Sequence, residues 1–225
     1  FRRLPNICLP PLPPKIFHTL DGFSRRDDAI EVPIGIYDDP NSQKQDISTI
    51  NLTQNNLFIL GASQMGKTNM IQMLIKGIAQ LYGPEEVNFY ILDFATMVLK
   101  NFESLVHVGG VATAYEDEKI RNLFKLISKQ ISMRKDELSD MGLSSFAAYK
   151  EAGYANMPQI ILILDNVTAF KEMYAGYDEE LGAICRDGVS VGITIIATNS
   201  TSSGMGLRFI TYFGNRISFT CNSKS

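Results

Sequence analysis

The chain has 225 residues, of which 45% are hydrophobic and 20% are charged. This length and composition fit one large domain with a full core, or one domain plus an arm. No apolar run reaches the length of a membrane-spanning helix, and the start Phe1-Arg2-Arg3 leads into prolines rather than into a signal peptide. We therefore expect a soluble piece of protein that begins inside a longer chain.

The net charge of −3 and the pI near 5.5 disfavour nucleic acid as a partner. Proteins that bind duplex DNA through its phosphates usually present a basic face. The local basic clusters are the doublets Arg2-Arg3 and Arg25-Arg26, and Asp27-Asp28 neutralises the second of them.

The cysteines and histidines do not predict a metal site. Cys8, Cys185 and Cys221 lack metal-ligand or redox spacing, so we interpret them as free thiols of a reducing compartment. His18 and His107 have no neighbouring ligands, which favours packing or surface roles over catalysis.

Residues 1–29 contain five prolines. Such a segment favours extended geometry, which predicts an inter-domain linker or an arm lying over a neighbour, with the folded domain spanning 30–225. Within that domain, Ile30–Tyr37 is predicted to be an edge strand because Pro33 argues against a central place. After a turn, Ile47–Leu52 is predicted to be a second strand.

An apolar run at Leu57–Leu60 breaks at Gly61 and leads to Gly66-Lys67-Thr68. This is the spacing GxxxxGK[ST] of a phosphate-binding loop. Its glycines let backbone N–H groups approach phosphates, Lys67 places a positive charge on the β- and γ-phosphates, and the Thr68 hydroxyl suits a Mg²⁺ site. The residues predicted to contact a nucleotide are Gly61, Ala62, Ser63, Gln64, Met65, Gly66, Lys67, Thr68 and Asn69. The alternative is a glycine turn with a solvated Lys67.

The helix that follows the loop is predicted from Asn69 to Tyr82, since apolar residues recur there at helical spacing until Gly83-Pro84 stops the run. The next segment, Val87–Asp93, is predicted to be a buried strand. Strand, helix and strand in this order form a right-handed parallel unit.

Three further elements are predicted before residue 153: a short strand at Leu105–Val111, a long helix at Glu116–Ser139 and a shorter helix at Ser144–Ala152. Ser144 or Ser145 is the candidate cap of the shorter helix. We interpret the basic residues of the long helix as a solvated face rather than as a DNA track. They are Lys119, Lys125, Lys129, Arg134 and Lys135.

The segment Gln159–Asn166 predicts the clearest buried parallel strand of the chain. In a phosphate-loop protein, an acid that ends such a strand is the second metal-site carboxylate and reaches Mg²⁺ through water. Asp165 holds this position, although capping of the following turn is the alternative. At the next position, ATPases of this phosphate-loop class usually place Glu to orient and deprotonate the attacking water. Asn166 cannot accept a proton at neutral pH, so hydrolysis by this site alone should be slow.

The remaining predicted elements are a helix at Tyr177–Asp187, a core strand at Val191–Asn199 and a final strand at Ile217–Cys221. Asn199 is either a sensor of the γ-phosphate or part of a plain strand-end turn. Together the elements predict a three-layer α/β domain with a mostly parallel central sheet and the phosphate loop at the carboxyl end of its first core strand.

The segments GASQMGKT, ILILDN and GITIIATN, in this order, resemble the FtsK/SpoIIIE group of RecA-like motor ATPases. A narrower resemblance covers nearly the whole chain. IGIYDDPNSQKQ, NFYILDF, LVHVGGVA and GLSSFAAYK are similar to the rear ATPase domains of the membrane-bound coupling ATPase of type VII secretion (EssC/EccC type), and the middle domain of its tandem is the best match. LPPLPPKIF resembles the linker between successive domains of that family.

The resemblance implies a RecA-like P-loop NTPase fold and a cytoplasmic domain in a chain anchored to the bacterial membrane elsewhere. It implies ATP and Mg²⁺ at Gly61–Thr68, with Asp165 completing the metal site and Asn199 in the sensor position. As partners it implies neighbouring ATPase domains of the same chain, copies assembled in a ring or hexamer, and small helical secreted proteins.

Three departures from the motors of this group predict binding without efficient turnover. Asn166 replaces the catalytic acid, and Asn199 is shorter than the usual Gln. The Arg that serves a neighbour's site would fall near Val189, with Arg186 displaced to one side. Such an Arg is worth several powers of ten in rate.

These observations favour an ATP-binding module of a type VII secretion ATPase that is weakly active or inactive alone. Two alternatives belong to other classes. A DNA translocase would need a working base, a trans Arg and a basic channel, which the sequence does not clearly show. A structural domain that has kept the loop but binds no nucleotide is the other.

Overall fold

The computed structural model describes residues 10–12, 20, 22–201 and 206–221. Its strands are β1 (Glu31–Asp39), β2 (Lys44–Asn51), β3 (Leu57–Leu60), β4 (Val87–Asp93), β5 (Val108–Thr113), β6 (Gln159–Asp165), β7 (Ile193–Asn199) and β8 (Asn215–Ser218). Its α-helices are α1 (Lys67–Leu81), α2 (Asp117–Asp140), α3 (Phe146–Glu151), α4 (Val167–Met173), α5 (Asp178–Asp187) and α6 (Leu207–Thr211). Short 3₁₀ turns lie at Val98–Phe102, Ala175–Tyr177 and Val189–Val191.

Six strands form one sheet in the order β5-β4-β6-β7-β3-β8, and every pairing in it is parallel. The central strands β6 and β7 are buried along their whole length, as expected where helices cover both faces of a parallel sheet. One apolar cluster joins the sheet to α1 and the first two strands, and another joins it to α2, α4 and α5. The predicted three-layer α/β fold is therefore confirmed.

The first two predicted strands form a hairpin of their own, because β1 and β2 pair antiparallel in a separate two-stranded sheet. The register shifts between Pro33 and Gly35, where proline cannot donate to the ladder. Buried Ile30, Val32 and Leu52 pack the hairpin onto the α1 side of the domain.

A buried polar network fastens the hairpin to the end of the sheet where β6 and β7 begin. Gln159 donates through Nε2 to the Leu52 carbonyl at 2.7 Å and to Thr194 Oγ1 at 2.9 Å. Thr194 donates to the same carbonyl at 2.7 Å, and Thr53 donates to Gln159 Oε1 at 3.0 Å. Since the polar atoms of these side chains have partners, the network fixes the hairpin at low desolvation cost.

Arg134 corrects the prediction that the basic residues of α2 form a solvated face. Its side chain is buried and donates to the carbonyls of Pro158 at 2.8 Å, Val191 at 3.1 Å and Gly192 at 3.4 Å. Burial lowers the pKa of this guanidinium to about 10. Arg134 thus connects α2 to the beginnings of β6 and β7, whereas Lys135 and the other predicted members are exposed.

Other differences from the predicted elements are local. The helices α4 and α6 were not predicted, and β8 ends at Ser218 rather than at residue 221. Ser145 is the cap of α3, since its side chain accepts from the Ala148 N–H at 3.2 Å. Most of the predicted arm at 1–29 lies outside the described residues, and the domain boundary stays a prediction.

Candidate functional site: the phosphate loop and the acid of β6

The loop between β3 and α1 turns through two left-handed backbone positions, Gln64 with φ 64° and Gly66 with φ 96°. The helix α1 begins directly after Gly66, and no side chain caps its N-terminus. The N–H groups of its first turn therefore face outward with the positive end of the helix dipole, which is the arrangement that binds anions.

The residues that follow β8 lie along the start of the loop. The Phe219 N–H donates to the Leu60 carbonyl at 2.8 Å, and the Ala62 N–H donates to the Thr220 carbonyl at 2.9 Å. The segment that follows β8 therefore remains hydrogen-bonded to the start of the loop and supports it.

Lys67 extends over the loop rather than into solvent. Its ammonium donates to the carbonyls of Gly61 at 2.7 Å and Ala62 at 2.9 Å. Burial lowers the pKa of Lys67, and the nearby Asp165 carboxylate opposes that shift. The charge is therefore held at the place where a phosphate would meet the loop.

Thr68 and Asp165 are 97 positions apart in the chain, and the structure brings them together. The Thr68 hydroxyl donates to Asp165 Oδ2 at 3.0 Å. Asp165 is 1% exposed, and burial raises the pKa of its carboxyl. Within the described residues no basic side chain forms an ion pair with it. A hydroxyl and a buried carboxylate without an ion-pair partner are hard oxygen ligands suited to Mg²⁺.

Thr198, at the penultimate position of β7, belongs to the same site but was not predicted. Its hydroxyl donates to Asp165 Oδ1 at 2.5 Å and accepts from the Asn166 N–H at 3.0 Å. The sequence carried a weak signal for it, namely a polar residue within the buried run of β7.

Asn166 occupies the position at which a catalytic acid was expected. Its backbone is left-handed, with φ 76° and ψ 79°, and its Oδ1 accepts from the Ala169 N–H at 3.2 Å as the cap of α4. Asparagine is favoured both at helix N-caps and in left-handed backbone. The side-chain amide of Asn166 is therefore occupied in capping α4.

Asn199, the candidate sensor, is 1% exposed and holds α4 against the tip of β7. Its Oδ1 accepts from the Thr168 N–H at 3.2 Å, and its Nδ2 donates to Thr168 Oγ1 at 2.9 Å and to the Thr201 carbonyl at 2.7 Å. The sensor role stays a prediction, because contact with a phosphate would have to replace some of these bonds.

The remaining candidate residues do not join this site. Val189 lies in a 3₁₀ turn, and the exposed Arg186 pairs with Asp187 at 2.9 Å. Burial raises the pKa of the Cys185 thiol to about 12, which makes it unreactive, and His107 is buried with Nε2 2.8 Å from the Tyr82 carbonyl oxygen. Cys8 and His18 lie outside the described residues. Among the described residues, no group of three or more His, Cys, Asp or Glu could hold a metal ion.

The sequence and fold of this domain are similar to those of known proteins. The sequence profile of the FtsK/SpoIIIE family matches residues 21–217. The chain belongs to the FtsK/SpoIIIE family. It is 30% identical over 204 residues to the ESX secretion system protein EccC of Geobacillus thermodenitrificans (strain NG80-2), an alignment that covers 90% of this chain and 14% of that protein.

Two solved structures extend the likeness to this FtsK/SpoIIIE domain. EssC (ATPases 2 and 3) from Geobacillus thermodenitrificans matches with a TM-score of 0.86 and 28% identity over 96% of this chain and 41% of that one. Thermomonospora curvata EccC (ATPases 2 and 3), in complex with a signal sequence peptide, matches with a TM-score of 0.80 and 27% identity over 95% of this chain and 40% of that one.

These similarities confirm the predicted resemblance to type VII secretion ATPases and the RecA-like P-loop NTPase fold. The correspondence to the middle domain of a tandem stays a prediction, and this chain spans only a small part of the relative's length. In the described part of this FtsK/SpoIIIE domain, every helix is too short or too polar to cross a bilayer.

Proposed function

We propose that this FtsK/SpoIIIE domain is an ATP-binding module of a type VII secretion ATPase with weak or no hydrolysis of its own. The proposal is carried by the contact between Thr68 and Asp165. It joins the residue after the loop lysine to the acid that ends β6, and a nucleotide-free structural role would not require a buried carboxylate there.

The loop would bind the phosphates of ATP with the N–H groups around Gly66 and the ammonium of Lys67, within the predicted segment Gly61–Asn69. Magnesium would be held by the Thr68 hydroxyl and by Asp165, acting through water. When bound, the ion would neutralise phosphate charge. The buried Asp165 carboxylate, which forms no ion pair with a described residue, fits this role because a cation would offset its desolvation.

Slow turnover is supported by two side-chain amides that already form hydrogen bonds within the fold. Asn166 caps α4 and cannot act as a general base. Asn199 bonds Thr168 and Thr201. Arg186, which is displaced from the position expected for the trans Arg, pairs with its neighbour Asp187.

As partners we propose neighbouring ATPase domains of the same chain, further copies in a ring or hexamer, and small helical secreted proteins. The relatives support this, since solved EssC and EccC chains contain ATPases 2 and 3, and one was captured with a signal sequence peptide. The place of action would be the cytoplasmic face of a bacterial membrane, with the anchor elsewhere in the longer protein.

The test is calorimetry with ATP, with and without Mg²⁺, on the wild type, Lys67→Ala and Lys76→Ala. Lys76 is an exposed residue of the same helix and serves as the matched control. We expect saturable binding by the wild type and by Lys76→Ala. Lys67→Ala should bind about 10- to 100-fold more weakly, because it loses charge-assisted hydrogen bonds.

Other outcomes would redirect the proposal. Robust hydrolysis that disappears in Lys67→Ala would refute the claim of weak turnover. No heat with ATP and Mg²⁺, and no rise in melting temperature, would favour the structural domain instead. Salt-sensitive duplex binding with DNA-stimulated hydrolysis would favour a translocase.

A further inference from the structure

We propose that Thr198 is a positioning residue of the nucleotide site, which turns the Asp165 carboxylate so that one oxygen is left for the magnesium site. This inference rests on the proposed function and adds a residue that neither the loop motif nor the acid of β6 contains. Two features carry it: the direction of two hydrogen bonds and the place of β7 in the sheet.

The Thr198 hydroxyl has a single proton, and its neighbours decide where that proton lies. The Asn166 N–H can only donate, so it occupies an acceptor position on Thr198 Oγ1. The hydroxyl proton is thereby directed to Asp165 Oδ1 at 2.5 Å. With Oδ1 held in this way, Oδ2 faces the Thr68 hydroxyl.

The strand order makes β7 the natural source of this hydroxyl. Strand β7 lies between β3, which leads into the loop, and β6, which ends in Asp165. Thr198 pairs in register with Ile59, and the adjacent Ala197 pairs with Leu164. Adjacent strands are about 4.8 Å apart, so a short side chain on β7 reaches a carboxylate at the end of β6. Its complete burial shields the bond from water.

The competing explanation is that Thr198 has a purely structural role. A second buried threonine in the same strand provides a control for that explanation. Thr194, on the same strand, is also fully buried, donates to one oxygen and accepts from one N–H. Its partners, Leu52 and Gln159, lie at the opposite end of the sheet from the loop. Thr194→Val therefore removes the same atoms at the same depth without touching the site.

The experiment measures the factor by which Mg²⁺ raises ATP affinity, using calorimetry in Mg²⁺ and in EDTA. Thr198→Val should reduce that factor about 10-fold or more, since loss of a partner that orients a metal ligand typically weakens metal binding 10- to 100-fold. Thr198→Ser keeps the hydroxyl and should stay within about 3-fold of the wild type. Thr194→Val should lower the melting temperature but keep the wild-type factor.

The ATP affinity in EDTA supplies a readout that the positioning role would not move. It should be unchanged in Thr198→Val, because the proposed phosphate contacts lie in the loop and not at Thr198. If Thr198→Val does not fold, Thr198→Ala replaces it with the same expectations.

The outcomes separate this inference from the function it rests on. A wild-type protein whose ATP affinity does not respond to Mg²⁺ overturns the metal site and Thr198's role together. A wild type that responds, with Thr198→Val responding equally, overturns the role of Thr198 alone. An equal loss in Thr194→Val would show that the effect is structural and would also overturn it.

Discussion

Gly61 and Phe219 approach so closely that Gly61 has no room for a side chain: a Cβ atom there would lie 2.8 Å from the Cβ of Phe219. At Gly66, the second glycine of the loop, an added Cβ atom would meet nothing within 4 Å, but the backbone there has φ 96°. Gly61 is therefore required by its packing against Phe219, and Gly66 by its backbone conformation.

This difference predicts that the two glycines will differ in their energetic coupling to Phe219 in a double-mutant cycle. Gly61→Ala should lower the free energy of unfolding by about 1–3 kcal/mol through overpacking. Phe219→Gly, which removes the Cβ atom that Gly61→Ala would meet, should relieve part of that loss, giving a coupling free energy above about 0.5 kcal/mol in urea unfolding. Gly66→Ala, the control, should cost about 1–2 kcal/mol through left-handed strain and show no coupling to Phe219. Additive losses for Gly61 and Phe219 would contradict the packing explanation.

Restoring the expected acid at position 166 should weaken the fold. Asn166→Glu loses the cap of α4 and places a longer side chain on left-handed backbone, so the free energy of unfolding should fall by about 1–3 kcal/mol. Asn166→Asp keeps a side-chain oxygen at the cap and should lose less. Thermal and urea unfolding of the nucleotide-free protein would measure both, and equal stability of Asn166→Glu and wild type would refute this reading of the cap.

Asp165→Asn should stabilise the nucleotide-free protein at neutral pH while weakening its response to Mg²⁺. Burial raises the pKa of Asp165 above the ordinary 3.8, so the folded state holds the proton more tightly than the unfolded state. The stability contributed by this group is full below 3.8 and is lost as pH rises through the folded pKa. Asparagine is not subject to that loss.

Melting temperatures over a pH series from acid to neutral would check this sign. The advantage of Asp165→Asn over the wild type should be absent in acid and should grow toward neutral pH. Thr194→Val, which removes a hydroxyl bonded to the Leu52 carbonyl and to the Gln159 amide, provides a comparison with no such trend because neither partner titrates. A constant difference at every pH would show that the charge of Asp165 is not responsible.

Arg134→Met should be among the more damaging changes on α2. It removes a donor from the carbonyls of Pro158, Val191 and Gly192 at the start of β6 and β7, which should cost about 3 kcal/mol. Lys135→Met, at the exposed neighbouring position, should change the free energy of unfolding by less than about 0.5 kcal/mol. Urea denaturation at neutral pH would measure both variants. Similar free energies of unfolding would contradict the structural role of Arg134 and favour the predicted solvated face.

The prediction from sequence succeeded where local patterns were long or chemically specific. Apolar runs identified β6 and β7, and helical periodicity identified α1 and α2. It failed for α4 and α6, since helices of seven and five residues contain too few turns to show periodicity. Arg134 follows Ile127 and Ile131 on the apolar stripe of α2, so its spacing indicated burial although its charge suggested exposure.

The site was predictable in its parts but not in its connections. The loop and Asp165 follow from a motif and from a strand end, whereas Thr198 enters the site only because β7 lies between β3 and β6. Strand order depends on pairings between distant segments, which one sequence does not display. For the same reason the contacts of Asn199 with Thr168 could not be foreseen.

The place of β7 also determines when the pocket can exist during synthesis. Thr68 and Asp165 have both been translated before the chain reaches Ile193, yet the gap between β3 and β6 is filled only when Ile193–Asn199 inserts. A nascent chain that stops short of this segment carries both halves of the pocket but cannot join them. Binding of ATP would therefore indicate that β7 has inserted and that the sheet is complete.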